Sequence, residues 1–488
     1  MPILQERLRT TPVDFTVPPG FETYFTGREH LSVIEHRDLL PQIKQVELGR
    51  FITRLEMYQL PPKHNLQRHM VFIEDVHGYR TLMFVAKDTL IPPQRHPDYG
   101  PLAVIGGTGV YPTPPGRTTI EYLDTHTDAL ALAMRDKTAI AGLRQGFGLS
   151  GMKATVAMEP GNNGLSDWEK SVFLQMATGW LYNPEIFYEE MTGTDARQTE
   201  NTIGAMALGS AFANPDRVNV QICGTRKNFD TPGACSMSLE AILDALHSHN
   251  ASIPTFEESV VSVQGFGRIG RPAVELALRR GAKHIFLSEV KFTVDEQGNV
   301  SPRDGELYQT LLELQQLYPG QIEVVNDIYA QKADIFMPCS SREEMLTEET
   351  IQQLHSSGIR VILAGANKIL EKRKIWELAR LAKDLEIVMP PEVLSNCGSV
   401  TMAGLERFYH HLRRTIPQYM DLTDDEAEKK FVQEFVQEFI RSNAQNMVTA
   451  LLDIAETENT DLYTAGKIWC RRQFNQPVSL NANGILKE

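Results

Sequence analysis

The segment Val260–Glu289 constrains the fold of this chain more than any other stretch. An apolar, β-branched run over 260–264 predicts a strand, and the glycine-rich turn Gly265–Gly270 follows it directly. Helical spacing then continues to Gly281, and a second apolar run ends at the acid Glu289. Strand, glycines, helix, strand and acid in this order are typical of a dinucleotide-binding βαβ unit.

Each part of this fingerprint has a physical role. Gly265 lets the backbone turn tightly, Gly267 lets a pyrophosphate approach the main chain, and Gly270 lets helix and strand pack closely. Glu289 follows Gly270 at the distance where a carboxylate can accept both hydroxyls of a ribose. The other predicted cofactor-binding residues belong to the same turn: Phe266, Arg268 and Ile269.

The acid at the end of the second strand bears on the choice of cofactor. The carboxylate of Glu289 favours NAD over NADP, because it would repel the additional phosphate on the NADP ribose. Lys291 lies two residues further on and moderates that preference. We therefore predict NAD as the cofactor, with NADP less favoured.

Composition sets the broad class of protein. The chain has 488 residues, enough for two or three domains, and its 42% hydrophobic and 23% charged content is ordinary for a globular protein. A formal charge of −14 argues against a general nucleic-acid binder. The five cysteines are scattered without a CxxC pair, and no run of apolar residues is long enough to span a membrane. We expect a cytoplasmic protein that binds neither a metal nor a membrane.

The distribution of predicted elements defines the fold class. Strands and helices alternate after Glu289, which predicts a parallel sheet with helices on both faces. We predict an α/β protein with a Rossmann-like, doubly wound domain over 231–394. An α/β substrate domain would span 1–230 and be completed by the C-terminal helices of 395–488. The apolar stripe Phe431–Ile440 predicts a packing face within the chain or between subunits.

Two lysines precede the dinucleotide segment. Lys137 lies near the end of a helical pattern, and Lys153 ends the glycine-rich segment Gly146–Lys153, for which we predict a turn. A lysine whose pKa is lowered by burial or by a neighbouring cation can transfer a proton to or from a substrate.

Several segments resemble, in order, those of the glutamate/leucine/phenylalanine/valine dehydrogenases. Gly100–Thr108 is similar to the GPxxGGTR segment of the leucine and phenylalanine branch, and Met134–Leu143 to MTxKxAxAGL. Ser150–Val156 resembles the GGGKAVI segment, and Pro391–Val400 resembles PDFxxNAGGV. The cofactor domain of the family is matched by three further segments: Gln264–Gly270, Ala333–Cys339 and Ala364–Asn367.

The resemblance implies oxidative deamination of an L-amino acid or the reverse reductive amination. It implies that Lys137 holds the substrate α-carboxylate and that Lys153 is the catalytic lysine. Asn367 would lie near the nicotinamide, and Asn396 would contact the substrate or the nicotinamide edge. Gly107, in the Gly106-Gly107 pair, would be a further substrate-binding residue. The family also implies a homo-oligomer.

The chain departs from the family at the expected catalytic aspartate. Alignment of Gly193 and Thr194 with the family's DVGT segment puts Met191 in the place of the aspartate. Glu190 and Asp195 are the neighbouring acids that could accept a proton from the amine. Activity requires one of them to reach the site. The alternative is a catalytically silent relative that binds NAD or an amino acid as a regulatory or scaffolding subunit.

Substrate preference follows from two positions. The glutamate branch uses a lysine and a serine to bind the distal carboxylate of its substrate, and the matching positions here are Ile105 and Ala403. Neither side chain can bind a charge. An apolar or aromatic amino acid is therefore predicted as the substrate, rather than glutamate.

Overall fold

The computed structural model describes residues 52–75, 80–90, 104–110, 119–159, 190–194, 233–340, 342–402, 404–405, 422, 424–481 and 484–486. The chain divides into two compact units. The first draws on residues 1–138, 143–222 and 406–415, and the second on 139–142, 223–405 and 416–488.

The first unit contains a mixed six-stranded sheet. Its strands are β1 (Ile52–Lys63), β2 (Leu66–Asp75), β3 (Arg80–Asp88), β4 (Val104–Val110), β5 (Ser150–Glu159) and β6 (Glu190–Thr194). They lie in the order β1-β2-β3-β5-β4-β6. Strands β1, β2, β3 and β5 pair antiparallel, whereas β4 runs parallel to both β5 and β6. The two β-prone runs within His69–Asp88 predict a hairpin, and β2 and β3 confirm it; its tip at 76–79 is outside the described residues.

Two helices lie between β4 and β5: α1 (Thr119–Ile140) and α2 (Leu143–Phe147). Ala131 of α1 packs with Leu66 of β2 and Ala86 of β3 in a small buried cluster. Small side chains at this contact let the helix approach the sheet closely. Helical spacing also predicts helices over 165–182 and 197–212, and both ranges lie outside the described residues.

The second unit is built on a five-stranded parallel sheet. Its strands are β7 (Val260–Gln264), β8 (His284–Ser288), β11 (Ile322–Val324), β12 (Ile335–Pro338) and β13 (Val361–Ile362). Their order is β11-β8-β7-β12-β13, which is 3-2-1-4-5 when the strands are counted along the chain. This is the order of a Rossmann fold, and it reverses between β7 and β12. The predicted α/β class with a doubly wound sheet is confirmed.

Helices and a short hairpin connect these strands. The helices are α3 (Ala234–His249), α4 (Gly270–Arg279), α5 (Gly305–Leu317), α6 (Glu348–Ser356), α7 (Ile375–Asp384) and the short α8 (Glu392–Ser395). Strands β9 (Phe292–Val294) and β10 (Val300–Pro302) form an antiparallel hairpin between β8 and α5. The apolar run at 387–389 predicts a further strand, and the structure shows only a single parallel bridge there, between Val388 and Val361.

The C-terminal helices are α9 (Asp424–Phe431), α10 (Gln437–Thr457) and α11 (Leu462–Gln473), with a π-helix at Val432–Val436 between α9 and α10. Helix α10 packs on α3 and on α11, which packs on α7. These contacts place 416–488 in the second unit, a division that differs from the domain boundaries predicted from the sequence. The predicted packing stripe is buried in the chain at four positions: Phe431, Val432, Val436 and Ile440.

Candidate dinucleotide and substrate sites

The three glycines of the fingerprint occupy different environments. Gly265 has a φ of 97°, and a Cβ on it would lie 2.8 Å from the Cα of Ser340. A Cβ on Gly270 would lie 1.8 Å from the carbonyl oxygen of Gly265, so helix α4 approaches the end of β7 as only glycine allows. A Cβ on Gly267 would meet nothing within 4 Å. Open space at Gly267 is what close approach by a diphosphate requires.

This turn lies where ligands bind in doubly wound sheets. Cys339, directly after β12, donates its backbone N–H to the carbonyl of Gln264, the last residue of β7, at 2.8 Å. The two strand ends therefore meet at the position where the strand order reverses. The carboxyl ends of strands at such a position form the usual crevice for a nucleotide.

Glu289 is held at the end of β8 by backbone groups. Its Oε2 accepts the N–H of Phe266 at 2.7 Å, and its Oε1 accepts the N–H of Lys291 at 3.1 Å. The carboxylate is thus fixed beside the glycine turn. The ring of Phe266 is fully buried and lies 6.3 Å from that of Phe292. Phe266 therefore supports the turn from the core, and its side chain does not face a ligand as a cofactor contact would.

The side chains of Arg268 and Ile269 are half-buried at the start of α4. The methyl Cγ2 of Ile269 lies 2.7 Å from the position of a Cβ on Gly365. This contact joins the glycine turn to the segment Gly365–Lys368, which follows β13.

A pair of residues on one helical turn holds that segment. The Nδ2 of Asn396 donates to the Oδ1 of Asn367 at 2.9 Å and to the carbonyl of Ala366 at 3.0 Å. Four residues earlier, the buried carboxylate of Glu392 accepts the N–H of Lys368 at 3.0 Å. Asn367 is exposed, and Asn396 is buried. The structure thus brings together the two asparagines predicted from the sequence.

Glu392 is a site-supporting residue that the sequence analysis missed. Lys368, which it holds, has a φ of 53°, a conformation that non-glycine residues adopt only when neighbouring contacts hold it. Burial lowers the pKa of the Lys368 ammonium, and the carboxylate of Glu343 at 3.3 Å opposes that effect. Burial and the adjacent Glu392 together raise the pKa of Tyr463 well above its ordinary value. The only signal in the sequence was the i, i+4 spacing of Glu392 and Asn396.

The predicted substrate lysines lie in the first unit, and both are buried. Lys153 is the fourth residue of β5, so the prediction that it lies on a turn is wrong. Met152, Ala154 and Val156 alternate into a buried apolar face, and this pattern continues the strand through the glycine-rich segment. Lys153 pairs with Gly107 of β4, which in turn pairs with Gly193 of β6.

Helix α1 lies directly over the face of β5 that carries Lys153. A Cβ on Gly151 would lie 2.1 Å from the backbone nitrogen of Arg135, so the helix touches the strand there. Two residues beyond Lys153, the hydroxyl of Thr155 bonds to that of Thr127 on α1. Lys153 lies between these two contacts on the same face of the strand. Lys137 occupies the last turn of the same helix.

Buried ion pairs surround this region, and the sequence analysis did not anticipate them. The carboxylate of Asp88 is fully buried and accepts the hydroxyl proton of Ser150. The guanidinium groups of Arg135 and Arg144 lie 3.9 and 4.0 Å from it. Burial lowers the pKa of Arg144, and Asp88 opposes that effect. These contacts fix the ends of β3 and β5 against the helices that connect β4 to β5.

Of the two candidate acids, Glu190 is among the described residues and Asp195 is not. Glu190 begins β6 and pairs with Val104, three residues from the register of Gly107 and Lys153. Met191, in the position of the family's aspartate, pairs with Ile105. Asp195 lies outside the described residues. The role of either acid stays a prediction.

Other chemistry is limited within the described residues. Four cysteines there have buried side chains, namely Cys235, Cys339, Cys397 and Cys470. No group of three or more His, Cys, Asp or Glu side chains in the described part of the chain could hold a metal ion. None of the helices described is both long and apolar enough to cross a bilayer.

Strand order, switch point and glycine geometry together define the class of this protein as Rossmann-like α/β. Residues 229–470 match the profile of the glutamate/leucine/phenylalanine/valine dehydrogenase family. Phenylalanine dehydrogenase of Lysinibacillus sphaericus is 23% identical over 384 residues, which are 76% of this chain and 84% of that protein. The chain is thus similar to this family at low identity.

Other relatives align over shorter segments. Phenylalanine dehydrogenase of Caldalkalibacillus thermarum is 28% identical over 36% of this chain and 44% of its own length. The NADP-specific glutamate dehydrogenase of Escherichia coli is 29% identical over 31% of this chain and 34% of its own length. These two alignments thus span less than half of each relative.

Solved structures share the fold at low identity. L-tryptophan dehydrogenase from Nostoc punctiforme matches with a TM-score of 0.52 and 18% identity, over 81% of this chain and 92% of that one. Glutamate dehydrogenase from Plasmodium falciparum matches with a TM-score of 0.59 and 17% identity, over 84% and 83% of the two chains. A hetero-hexameric glutamate dehydrogenase from Thermus thermophilus matches with a TM-score of 0.56 and 16% identity, over 87% and 89%.

Proposed function

We propose that this chain is an NAD-dependent amino acid dehydrogenase. It would convert an L-amino acid, NAD and water to the 2-oxo acid, ammonia and NADH, or catalyse the reverse reductive amination. The observation that carries the proposal is the open Gly267 at the switch point, beside a fixed Glu289. The match of residues 229–470 to the dehydrogenase family supports the same reaction class.

The residues of the second unit fit a dinucleotide. The N-terminus of α4 follows the glycine turn and favours a diphosphate through its free N–H groups and its dipole. Glu289 would accept the ribose hydroxyls, which favours NAD over NADP. Val290 is 85% exposed, an unusual state for a large apolar side chain, and an adenine ring beside Glu289 would cover it. Asn367 would lie near the nicotinamide ring, which supplies the acceptor for the hydrogen and electron pair leaving the substrate Cα.

The first unit would supply the substrate-handling groups. Lys137 would bind the α-carboxylate through its ammonium. Lys153 would polarise the carbonyl in the direction of amination, and in deamination it would orient the water that attacks the imine carbon. Burial of both lysines supports these roles, because a charged group held away from water interacts strongly with a substrate charge. Glu190 or Asp195 would accept the proton from the amine.

We propose an apolar or aromatic substrate, since Ile105 and Ala403 cannot bind a second carboxylate. Asn396 and Gly107 would contact that substrate. A homo-oligomer in a reducing, cytoplasmic compartment completes the proposal. The hetero-hexamer among the similar structures supports an oligomer. The lack of any CxxC pair in the sequence supports a reducing compartment.

The second candidate function is a catalytically silent binder of NAD or an amino acid. Met191 in the position of the family's aspartate favours it, because a thioether cannot accept a proton from an amine. The two candidates differ in turnover and agree on cofactor binding.

Substitution of Lys153 tests the proposal. The wild type and Lys153→Met are assayed for NADH formation with a panel of L-amino acids at alkaline pH, and for NADH binding by fluorescence. We expect the variant to lose at least about a hundredfold in kcat and to bind NADH normally, because Lys153 lies outside the nucleotide unit. The exposed Lys332→Met is the matched control and keeps wild-type kcat.

One outcome contradicts the dehydrogenase assignment, and a second contradicts the role of Lys153. Wild-type protein that binds NADH but turns over no amino acid in either direction supports the silent binder. Full turnover by Lys153→Met removes this lysine from the chemistry.

A further inference from the structure

The segment after Glu289 folds back on itself beside the proposed ribose site. Strands β9 and β10 pair antiparallel, and the N–H of Arg303 donates to the carbonyl of Lys291 at 2.7 Å. Arg303 and Asp304, at the end of the hairpin, therefore lie alongside Lys291 at its beginning. The backbone of Lys291 is also bonded to Glu289, so all four residues belong to one small cluster.

An ion pair directs the Lys291 ammonium within this cluster. The Nζ of Lys291 lies 2.6 Å from the Oδ2 of Asp304. The other carboxylate oxygen of Asp304 accepts the N–H of Leu307 at 3.1 Å and so caps helix α5. The cap fixes the position of Asp304, since an N-cap side chain must stay against the first turn of its helix. Asp304 thus presents a charge of fixed position to a lysine whose side chain is 53% exposed.

We propose that Asp304 is a positioning residue for cofactor choice: it holds the Lys291 ammonium and keeps it from binding the 2′-phosphate of NADP beside Glu289. This inference rests on the proposed dinucleotide function and deepens it. Glu289 selects NAD through repulsion, and Asp304 adds to that selection by pairing with the ammonium of Lys291, two residues beyond Glu289. The NAD preference would then depend on two acids, of which the fingerprint includes only one.

The physical basis is competition for one ammonium group. A 2′-phosphate is dianionic near neutral pH and binds a lysine through charge-assisted hydrogen bonds. Asp304 already makes such a bond to Lys291, so a phosphate must displace a carboxylate before it gains the lysine. Exposed pairs of this kind are weak, so the competition is modest and can be shifted by one substitution.

The test measures dissociation constants for NADH and NADPH with the full-length protein, by fluorescence titration at low ionic strength. Asp304→Asn and Asp304→Ser both keep an N-cap side chain and remove the charge. We expect either variant to lower the ratio of the NADPH constant to the NADH constant by about fivefold, which corresponds to about 1 kcal/mol. Unchanged melting temperatures would confirm that the cap persists.

Two double variants identify the responsible cation. Asp304→Asn combined with Lys291→Gln should restore the wild-type ratio, because the released ammonium is gone. Asp304→Asn combined with Arg303→Gln should keep most of the lowered ratio of the NADPH constant to the NADH constant. The reason is that Arg303 is exposed and is not the cation that Asp304 holds.

The outcomes separate this inference from the proposed function. A wild type that binds neither NADH nor NADPH contradicts both. Normal NADH binding with an unchanged ratio in both Asp304 variants overturns the inference alone. The inference is also overturned if Arg303→Gln, rather than Lys291→Gln, abolishes the improved NADPH binding of Asp304→Asn. The phosphate would then be bound by another cation.

Discussion

At the scale of single residues, the three glycines of the fingerprint differ in what requires them. The packing of the protein requires two of them, and the third faces open space. Gly265 and Gly270 are glycines because a Cβ on either would collide with neighbouring backbone. Gly267 has no such neighbour within 4 Å. The protein alone therefore gives no steric reason for a glycine at 267, and a ligand would supply one.

This difference predicts opposite effects for two alanine substitutions. Gly267→Ala should keep the stability of the wild type and weaken NADH binding by about tenfold or more, because the methyl group occupies the space for the diphosphate. Gly270→Ala should lower the free energy of unfolding by about 1–3 kcal/mol, because the helix must move away from Gly265. Thermal unfolding and NADH titration of both variants provide the comparison. Unaltered NADH affinity in Gly267→Ala would place the ligand elsewhere.

His69 gives a pH-dependent prediction at the same scale. The sequence around His69 matches no metal-ligand pattern and predicts an ordinary surface or loop residue, whereas the structure buries this histidine on β2. Burial, with a smaller contribution from the charge of Lys87, lowers the pKa of His69 from 6.5 to about 4. The unfolded chain takes up a proton as the pH falls through 6.5, whereas the folded protein does not until about 4. Stability is therefore lost across this window.

Replacement of His69 removes that dependence. Between about pH 7 and about pH 5, the wild type should lose on the order of 1–2 kcal/mol more unfolding free energy than His69→Gln. Urea unfolding at the two pH values measures the difference. The exposed His64→Asn is the control and should follow the wild type. Parallel pH profiles for the wild type and His69→Gln would contradict the account.

At the scale of elements, β2 and helix α1 are joined by a buried network of charges. Arg68 of β2 forms ion pairs with Asp124 and Asp128, which lie one helical turn apart on α1. All three side chains are nearly inaccessible to solvent. The ammonium of Lys63, which is 41% exposed, lies 3.5 Å from the carboxylate of Asp128 at the solvent-facing edge of this network.

Loss of Arg68 should therefore cost much more than loss of Lys63. Arg68→Met leaves two buried carboxylates with their main cation removed, and we expect it to lower the free energy of unfolding by about 3 kcal/mol or more. Lys63→Met should cost less than about 1 kcal/mol, because its charge is partly solvated. Urea denaturation of both variants tests this order. Similar costs for the two substitutions would show that α1 is held by apolar packing alone.

The sequence was informative for elements whose side-chain period is strong. The β-branched run before Gly265 and the helix between Gly270 and Gly281 were both predicted, because each shows one clear period. Lys153 was misplaced because the glycines before it indicate a turn, whereas burial of Met152, Ala154 and Val156 on one face decides the structure. Burial of this kind depends on α1 and on neighbouring strands, which no local pattern specifies.

At the scale of the whole molecule, the sequence predicted the fold class and the dinucleotide fingerprint, and it assigned the C-terminal helices differently. Helix α10 packs on α3, and it buries Ala444, Met447 and Val448 as an ordinary amphipathic helix does. An apolar stripe specifies that a helix packs, but it does not specify the partner. The charge networks were missed for a similar reason, since their members are distant in sequence.

The most direct test of the central claim is a crystal structure of the full chain with NAD bound. The account predicts the diphosphate over Gly267, against the N-terminus of α4, with the adenosine ribose hydroxyls bonded to the carboxylate of Glu289. NAD bound at another site, or a glycine turn that stays empty at saturating NAD, would contradict it.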